Sequence, residues 1–244
     1  RKESSAASDV YKRQTEAGTA DFGVVPIENS SEGVVNRTLD LLLQTTLTIS
    51  GEVSIQVNHS LMTRTGSMTG VKTICAHSQA LAQCQVWLNQ NYPNIERMAV
   101  ASNGEAARLA GDDPTVAAIA SEIAGQKYQL QVIKAHVQDD PHNRTRFAVI
   151  GRLQTAASGK DQTSLVLSVP NKAGAVYNLL APLAKHGVSM TRFESRPARM
   201  GTWEYYFYVD VEGHLSDAKV DNALKELKDN AAFFKVLGSY PFSL

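Results

Sequence analysis

Four times between residues 22 and 128 a short β-rich run gives way to a helical stretch across a polar junction. The junctions are Glu28-Asn29-Ser30, His77-Ser78-Gln79, Ser102-Asn103 and Ser121-Glu122. The β-rich runs cover 22–27, 71–76, 95–101 and 116–120, and apolar residues at helical spacing follow over 33–43, 79–91, 104–110 and 122–128. Ser78, Asn103 and Ser121 are the expected N-caps of the last three helices. Further strand-like stretches lie at 47–61, 131–135 and 145–151. Alternation of this kind restricts the region to an open α/β sheet. In such sheets ligands sit beyond the carboxyl ends of the strands, where free N–H groups at helix starts favour carboxylates. Any one junction is explained as well by Ser or Asn capping a helix. Four together point to a site for a small anion.

A linker poor in apolar residues, 154–162 (QTAASGKDQ), ends this pattern. Beyond it, strands are expected at 164–169, 188–194, 203–211 and 233–238, with helices at 174–186 and 216–228. The order βαββαβ is ferredoxin-like, with an open sheet edge and one helix-covered face that suit pairing with a second copy. The run Trp203, Tyr205, Tyr206, Phe207, Tyr208 lies on a strand, so half of it faces each side. Core packing on one face and subunit contact on the other account for it. No basic residues interleave as stacking on nucleic acid would need. Residues 1–14 (RKESSAASDVYKRQ) are polar and aperiodic, and are expected to be an unrelated or disordered leader.

Twenty-four basic residues balance twenty-four acidic ones, which gives no electrostatic reason for a nucleic-acid partner. No apolar run reaches the roughly 18 residues of a membrane span, and no secretory signal opens the chain. A cytoplasmic protein is the expectation. Cys75, His77 and Cys84 match no common zinc spacing, so no metal site is expected. His136 and His142 read as surface residues, and Trp87 as a packing residue.

Several ordered motifs carry a resemblance. VPIENSSEGVV (25–35), HSQALAQC (77–84), SNGEAA (102–107), AAIAS (117–121) and NRTRFAVIG (143–151) resemble the successive motifs of prephenate dehydratases. NKAGAVYNLL (171–180) and FESRP (193–197) are similar to that family's regulatory ACT signature. The resemblance implies a two-lobed catalytic domain like type II periplasmic binding proteins over 15–153. The linker 154–162 and a ferredoxin-like ACT domain over 163–244 would follow. It also implies dehydration of prephenate to phenylpyruvate with no cofactor, inhibition by L-phenylalanine, and a homodimer or higher homo-oligomer through the ACT domains.

Prephenate is a cyclohexadiene dicarboxylate with a 4-hydroxyl. Loss of that hydroxyl and of the ring carboxylate as CO2 leaves an aromatic ring, so aromatisation drives the reaction. The protein must hold two carboxylates and help hydroxide leave as water. By resemblance, Thr145 hydrogen-bonds the departing hydroxyl, acting with a neighbouring donor because a neutral hydroxyl alone is a weak acid. Glu28, Asn29 and Gln79 join it as catalytic candidates, with Ser30, Ser78, Ser102, Arg146 and Phe147 as substrate contacts. Arg146 has two readings. Its guanidinium suits a bidentate grip on a carboxylate, yet strand alternation sets it on the face opposite Thr145, where a structural ion pair fits equally.

In the ACT segment, Gly174, Ala175 and Val176 at a helix start, with Glu194, Ser195, Arg196 and Pro197 closing a strand, are the phenylalanine-binding candidates by resemblance. Tyr177 is bulkier than the family's residue at that place. The family's opening Gly-Pro-x-Gly-Thr-Phe-Ser strand and helix do not precede Thr15, so a fragment of a longer protein with an upstream chorismate mutase domain is expected. Three rival readings are an inactive fragment, a non-catalytic small-anion or amino-acid binder, and an arogenate dehydratase.

Overall fold

The computed structural model describes residues 2–169, 172–197 and 205–242, with side chains from residue 9 onward. The chain forms two compact units, residues 1–55 with 145–244, and residues 56–144.

The first unit opens with helix α1 (Lys2–Glu16), over the stretch expected to be an unrelated or disordered leader. The helix is anchored: Thr15 is buried, Arg37 pairs with Asp9 at 2.7 Å, and the Thr45 hydroxyl donates to Glu16 at 2.6 Å. Strand β1 (Phe22–Asn29) follows, then the two-residue β2 (Gly33–Val34) and helix α2 (Asn36–Gln44), which starts three residues later than its periodicity predicts. Gly23 lets α1 approach β1, since a Cβ there would meet Thr15 Oγ1 at 3.0 Å and Ile150 at 3.1 Å. Strand β3 (Thr48–Gln56) leaves this unit for the second.

The second unit holds β4 (Ser60–Thr63), β5 (Thr73–His77), α3 (Ser78–Gln83), α4 (Gln85–Asn91), β6 (Glu96–Val100), α5 (Asn103–Asp112), β7 (Val116–Ala120), α6 (Glu122–Lys127) and β8 (Gln131–Lys134). Its sheet order is β6-β5-β7-β4-β8, with β5 parallel to β6 and β7 and β4 antiparallel to β7. Ala106, Ala107 and Ala110 of α5 pack on Cys75 and Ala118 on one face. Leu88, Cys84 and Ala80 pack on Ile74, Ala117 and Ile119 on the other. The expected single helix over 79–91 breaks at Cys84. The carboxylate of Asp139 accepts from the Val86 and Trp87 amides at 2.9 Å each, and so caps a second helix. Cys75 and Cys84 are buried in cores on opposite sheet faces and share no ligand position.

Strand β9 (Arg144–Gly151) returns to the first unit and pairs antiparallel with β1, giving the order β2-β1-β9-β3. After residues 152–160 come β10 (Asp161–Ser168), α7 (Ala175–Lys185), β11 (Met190–Pro197), β12 (Tyr205–Glu212), α8 (Ala218–Asn230) and β13 (Phe233–Pro241). Their sheet order, β11-β12-β10-β13, is the ferredoxin-like one. Helices α7 and α8 cover one face through Leu179, Leu183, Leu224 and Leu227 against Leu165, Leu167, Phe207 and Val209.

The helix-free face lies on the first sheet, with Val166, Tyr208, Leu237 and Tyr240 in one core with Val25, Ile27, Ile49, Ala148 and Ile150. This corrects the reading of the aromatic run. Tyr208 faces not a partner subunit but the chain's own first sheet and α2, and its hydroxyl donates to the Leu39 carbonyl at 2.8 Å. Trp203 lies outside the described residues, as do Pro170 and Asn171. Lys235 of β13 donates to the carbonyls of Leu42, Leu43 and Thr45, closing the C-terminus of α2. Gly238 leaves no room for a side chain, since a Cβ would overlap the Ile49 carbonyl. The expected linker therefore joins two sheets that share one core. Among the described residues no helix is long and apolar enough to cross a membrane.

Candidate active site

Thr145 on β9 faces Asn29 on β1. The Asn29 Oδ1 accepts from the backbone N–H groups of Ser31 at 3.0 Å and Glu32 at 3.1 Å. The other end of that amide is therefore its NH2, and Nδ2 donates to Thr145 Oγ1 at 2.9 Å. The turn that Asn29 closes leads into β2 at Gly33, whose φ of 81° is the left-handed conformation glycine adopts without strain. Asn29 is buried and Thr145 half-buried, while Ser30 is exposed in the turn and Phe147 half-buried on the Thr145 face.

A β-bulge decides which residue meets Thr145. Pro26 pairs with Phe147, but the next pairs are Glu28 with Arg146 and Asn29 with Thr145. Ile27 is the extra residue. Uninterrupted pairing would have set Glu28 beside Thr145; the bulge sets Asn29 there and turns Glu28 to the opposite face. A proline inside a strand is the sequence signal for this irregularity. Of the catalytic candidates on β1, the structure brings Asn29 rather than Glu28 to Thr145. The Glu28 carboxylate lies between two guanidinium groups, 3.1 Å from Arg146 Nη1 and 3.4 Å from Arg192 Nε.

Of the two readings of Arg146, the geometry supports the ion pair. It grips Glu52 bidentately at 3.1 and 2.7 Å and approaches Asp210 at 3.4 Å. Burial opposes its charge, but the hydrogen bond and charge of Glu52, with Asp210 behind it, raise its pKa further above the ordinary arginine value. Its contacts with three carboxylates are those of a structural ion pair.

In the second unit, β5, β6 and β7 run parallel, so the starts of α3, α5 and α6 share one sheet edge. The N-caps differ in part from expectation. His77 rather than Ser78 caps α3, its Nδ1 accepting from Gln79 N at 3.4 Å, and Ser102 rather than Asn103 caps α5, its Oγ accepting from Glu105 N at 3.0 Å. Ser121 caps α6 as predicted. Asn103 instead accepts from the His77 backbone N–H at 2.8 Å, tying two of the four junctions together. The Ser-Asn pair signalled that junction but not its division of labour. Ser78 and Ser102 are exposed and Gln79 half-buried.

In the ACT segment, Gly174 precedes α7 with φ of 75°, Ala175 is buried, and Val176 and Tyr177 are exposed. The expected motif on β11 divides between sheet faces. Ser195 pairs with Phe207 and projects to the helix-bearing side, as do Phe193 and Pro197. Glu194 and Arg196 project to the first sheet and α2, where Arg196 pairs with Asp40 at 3.0 Å and also bonds Asn36 Oδ1.

The prephenate dehydratase family model matches residues 3–155 and the ACT domain model residues 163–229. A bifunctional chorismate mutase/prephenate dehydratase of Neisseria gonorrhoeae is 50% identical over 236 residues, 96% of this chain and 65% of that protein. A prephenate dehydratase of Arthrobacter aurescens in complex with L-Phe superposes with a TM-score of 0.84 at 33% identity, covering 94% of this chain and 78% of that one. A protein described as a novel type of quorum-quenching acylase superposes equally, at 29% identity over 95% of this chain and 86% of that one, with a TM-score of 0.84. The chain spans about two thirds of the length of the curated relatives it matches, 65% in the first case. The chain belongs to the prephenate dehydratase family and carries an ACT domain after its dehydratase region.

Proposed function

We propose that the chain converts prephenate to phenylpyruvate, CO2 and water in the cytoplasm, and that L-phenylalanine inhibits it through the ACT domain. The observation that carries this reading is the polarity of the Asn29–Thr145 bond. A threonine oxygen that accepts from an amide keeps its own hydrogen for another acceptor, and the donated bond polarises that O–H. The departing 4-hydroxyl of prephenate is that acceptor. The bond from the ring to its carboxylate breaks, its electron pair enters the ring, and the carbon–oxygen bond at C4 breaks as the ring becomes aromatic. Thr145 hydrogen-bonds the leaving oxygen, and the proton that completes water comes from solvent. Ser78, Gln79 and Ser102 are the proposed carboxylate contacts. The Phe-bound relative supports L-phenylalanine as the ACT ligand, and the open edge of β11 supports pairing of two chains there.

An acylase would need a hydroxyl that gives its proton to a base. Thr145 instead meets an amide donor, which favours the dehydratase reading over that of the acylase relative. The test is phenylpyruvate formation from prephenate, read by its absorbance in alkali, with and without L-phenylalanine and with arogenate as the competing substrate. Turnover of prephenate that L-phenylalanine suppresses supports the reading. Turnover of arogenate alone, or of neither substrate, contradicts it.

A further inference from the structure

Arg192 belongs to the ACT domain, on β11, yet its guanidinium meets a carboxylate of the dehydratase region. Its Nε lies 3.4 Å from Glu28 and its Nη1 3.9 Å from Asp210. Glu28 and Asp210 are also the partners of Arg146, which in turn holds Glu52. Two cations and three carboxylates thus form one cluster where the ACT sheet packs on the first sheet. Glu52 and Asp210 have side chains only 2% and 5% exposed, so water does little to decouple them. Ser164 holds Asp210 from below at 2.7 Å and is itself bonded to the Tyr240 hydroxyl at 2.7 Å.

Within this cluster the two arginines are held unequally. Arg146 makes short, bidentate bonds, whereas the contacts of Arg192 are long and its buried Nη2 has no hydrogen-bond partner among the described residues. Of the two arginines, Arg192 is therefore the less firmly held. It precedes Phe193, which stacks on Phe207 on the opposite face of β11. Glu28, its partner, precedes Asn29 at the bulge.

We propose that Arg192 is a positioning residue of the dehydratase site: by holding Glu28 it fixes the bulged turn that presents Asn29 to Thr145, so a shift of β11 in the ACT domain is felt at the catalytic hydroxyl. The inference rests on the dehydratase reading for its kinetic consequence, but not for its structural one.

The test compares Arg192→Met and Arg192→Lys in the full chain, by steady-state kinetics on prephenate and by hydrogen exchange at the Ser31 and Glu32 amides, which report the Asn29 turn directly. Arg192→Met should lower kcat about tenfold, less than the roughly hundredfold that a 1 Å misplacement can cost, with KM unchanged. Exchange at Ser31 and Glu32 should accelerate about tenfold, while the Leu165 and Val209 amides in the ACT core stay protected. Arg192→Lys, which keeps the charge, should recover part of both effects. Unchanged exchange at Ser31 and Glu32 in Arg192→Met overturns the proposal, as does loss of protection throughout the ACT core in both variants. Absence of turnover in the unaltered chain contradicts the dehydratase reading alone, and the exchange measurement still decides whether Arg192 holds the turn.

Discussion

Asn29 donates to Thr145 Oγ1 across 2.9 Å, and its own carbonyl oxygen is locked by two backbone N–H groups, so the direction of that bond is fixed by the fold. Replacing the donor by an acceptor should reverse it. In Asn29→Asp the threonine hydroxyl turns to the new carboxylate and is lost to the substrate. Turnover should fall about a hundredfold or more, as when one preorganised donor is removed, while the circular dichroism spectrum is kept. Retained turnover would show that the hydroxyl is oriented by something else.

Arg146 should matter for stability before it matters for substrate. Removing a guanidinium that pairs with the buried Glu52 and Asp210 leaves Glu52 without its counter-ion and Asp210 with only the longer contact of Arg192. Arg146→Gln should cost about 3–5 kcal/mol in urea unfolding. Normal stability with a raised KM for prephenate would return Arg146 to the role of a carboxylate grip.

Asp161 fixes the entry to the ACT domain by accepting from the Ser158 hydroxyl and from the Ser158 and Gly159 amides at 2.7–3.0 Å. Burial pushes its carboxyl up, but these bonds outweigh it and hold the pKa below the 3.8 of a free aspartate. A depressed folded-state pKa stabilises above the unfolded value and is lost as pH falls through the folded one. Asp161→Asn should therefore be less stable by about 1–3 kcal/mol at pH 7, with the difference from wild type shrinking below pH 4. A constant difference across that range would contradict this account.

Both cysteines are fully buried, and burial, with a smaller push from Asp139, raises the Cys84 thiol to about 12. Burial raises Cys75 as well, with Glu96 adding to it. Neither should react with a disulfide reagent at pH 8 in the native protein, and both should react on unfolding. Prompt labelling of the native chain would contradict the packing described for α3, α4 and α5.

Much of this architecture is legible in the sequence because periodicity and order are local properties. The run at 116–120 and the βαββαβ order after the linker can be read directly. What escapes the sequence reading depends on distant partners. The break at Cys84 is made by Asp139, a residue more than fifty positions away, and residues 2–16 look aperiodic because their helix is anchored by Arg37 and Thr45 rather than by a strong pattern of its own. The exchange of Glu28 for Asn29 beside Thr145 turns on one bulged residue, a register shift that alternation alone does not reveal. The second face of the aromatic strand looks like a subunit contact because the first sheet that covers it is assembled from residues distant in sequence, from Val25 and Ile49 to Ala148 and Ile150.

The central claim is that the Thr145 hydroxyl, oriented by Asn29, assists departure of the prephenate hydroxyl. Its most direct test is phenylpyruvate formation by wild type, Thr145→Ser and Thr145→Val under saturating prephenate. The account predicts that Thr145→Ser keeps a measurable share of kcat and that Thr145→Val loses about a hundredfold or more, with both variants folded. Equal turnover by Thr145→Val and wild type would contradict it.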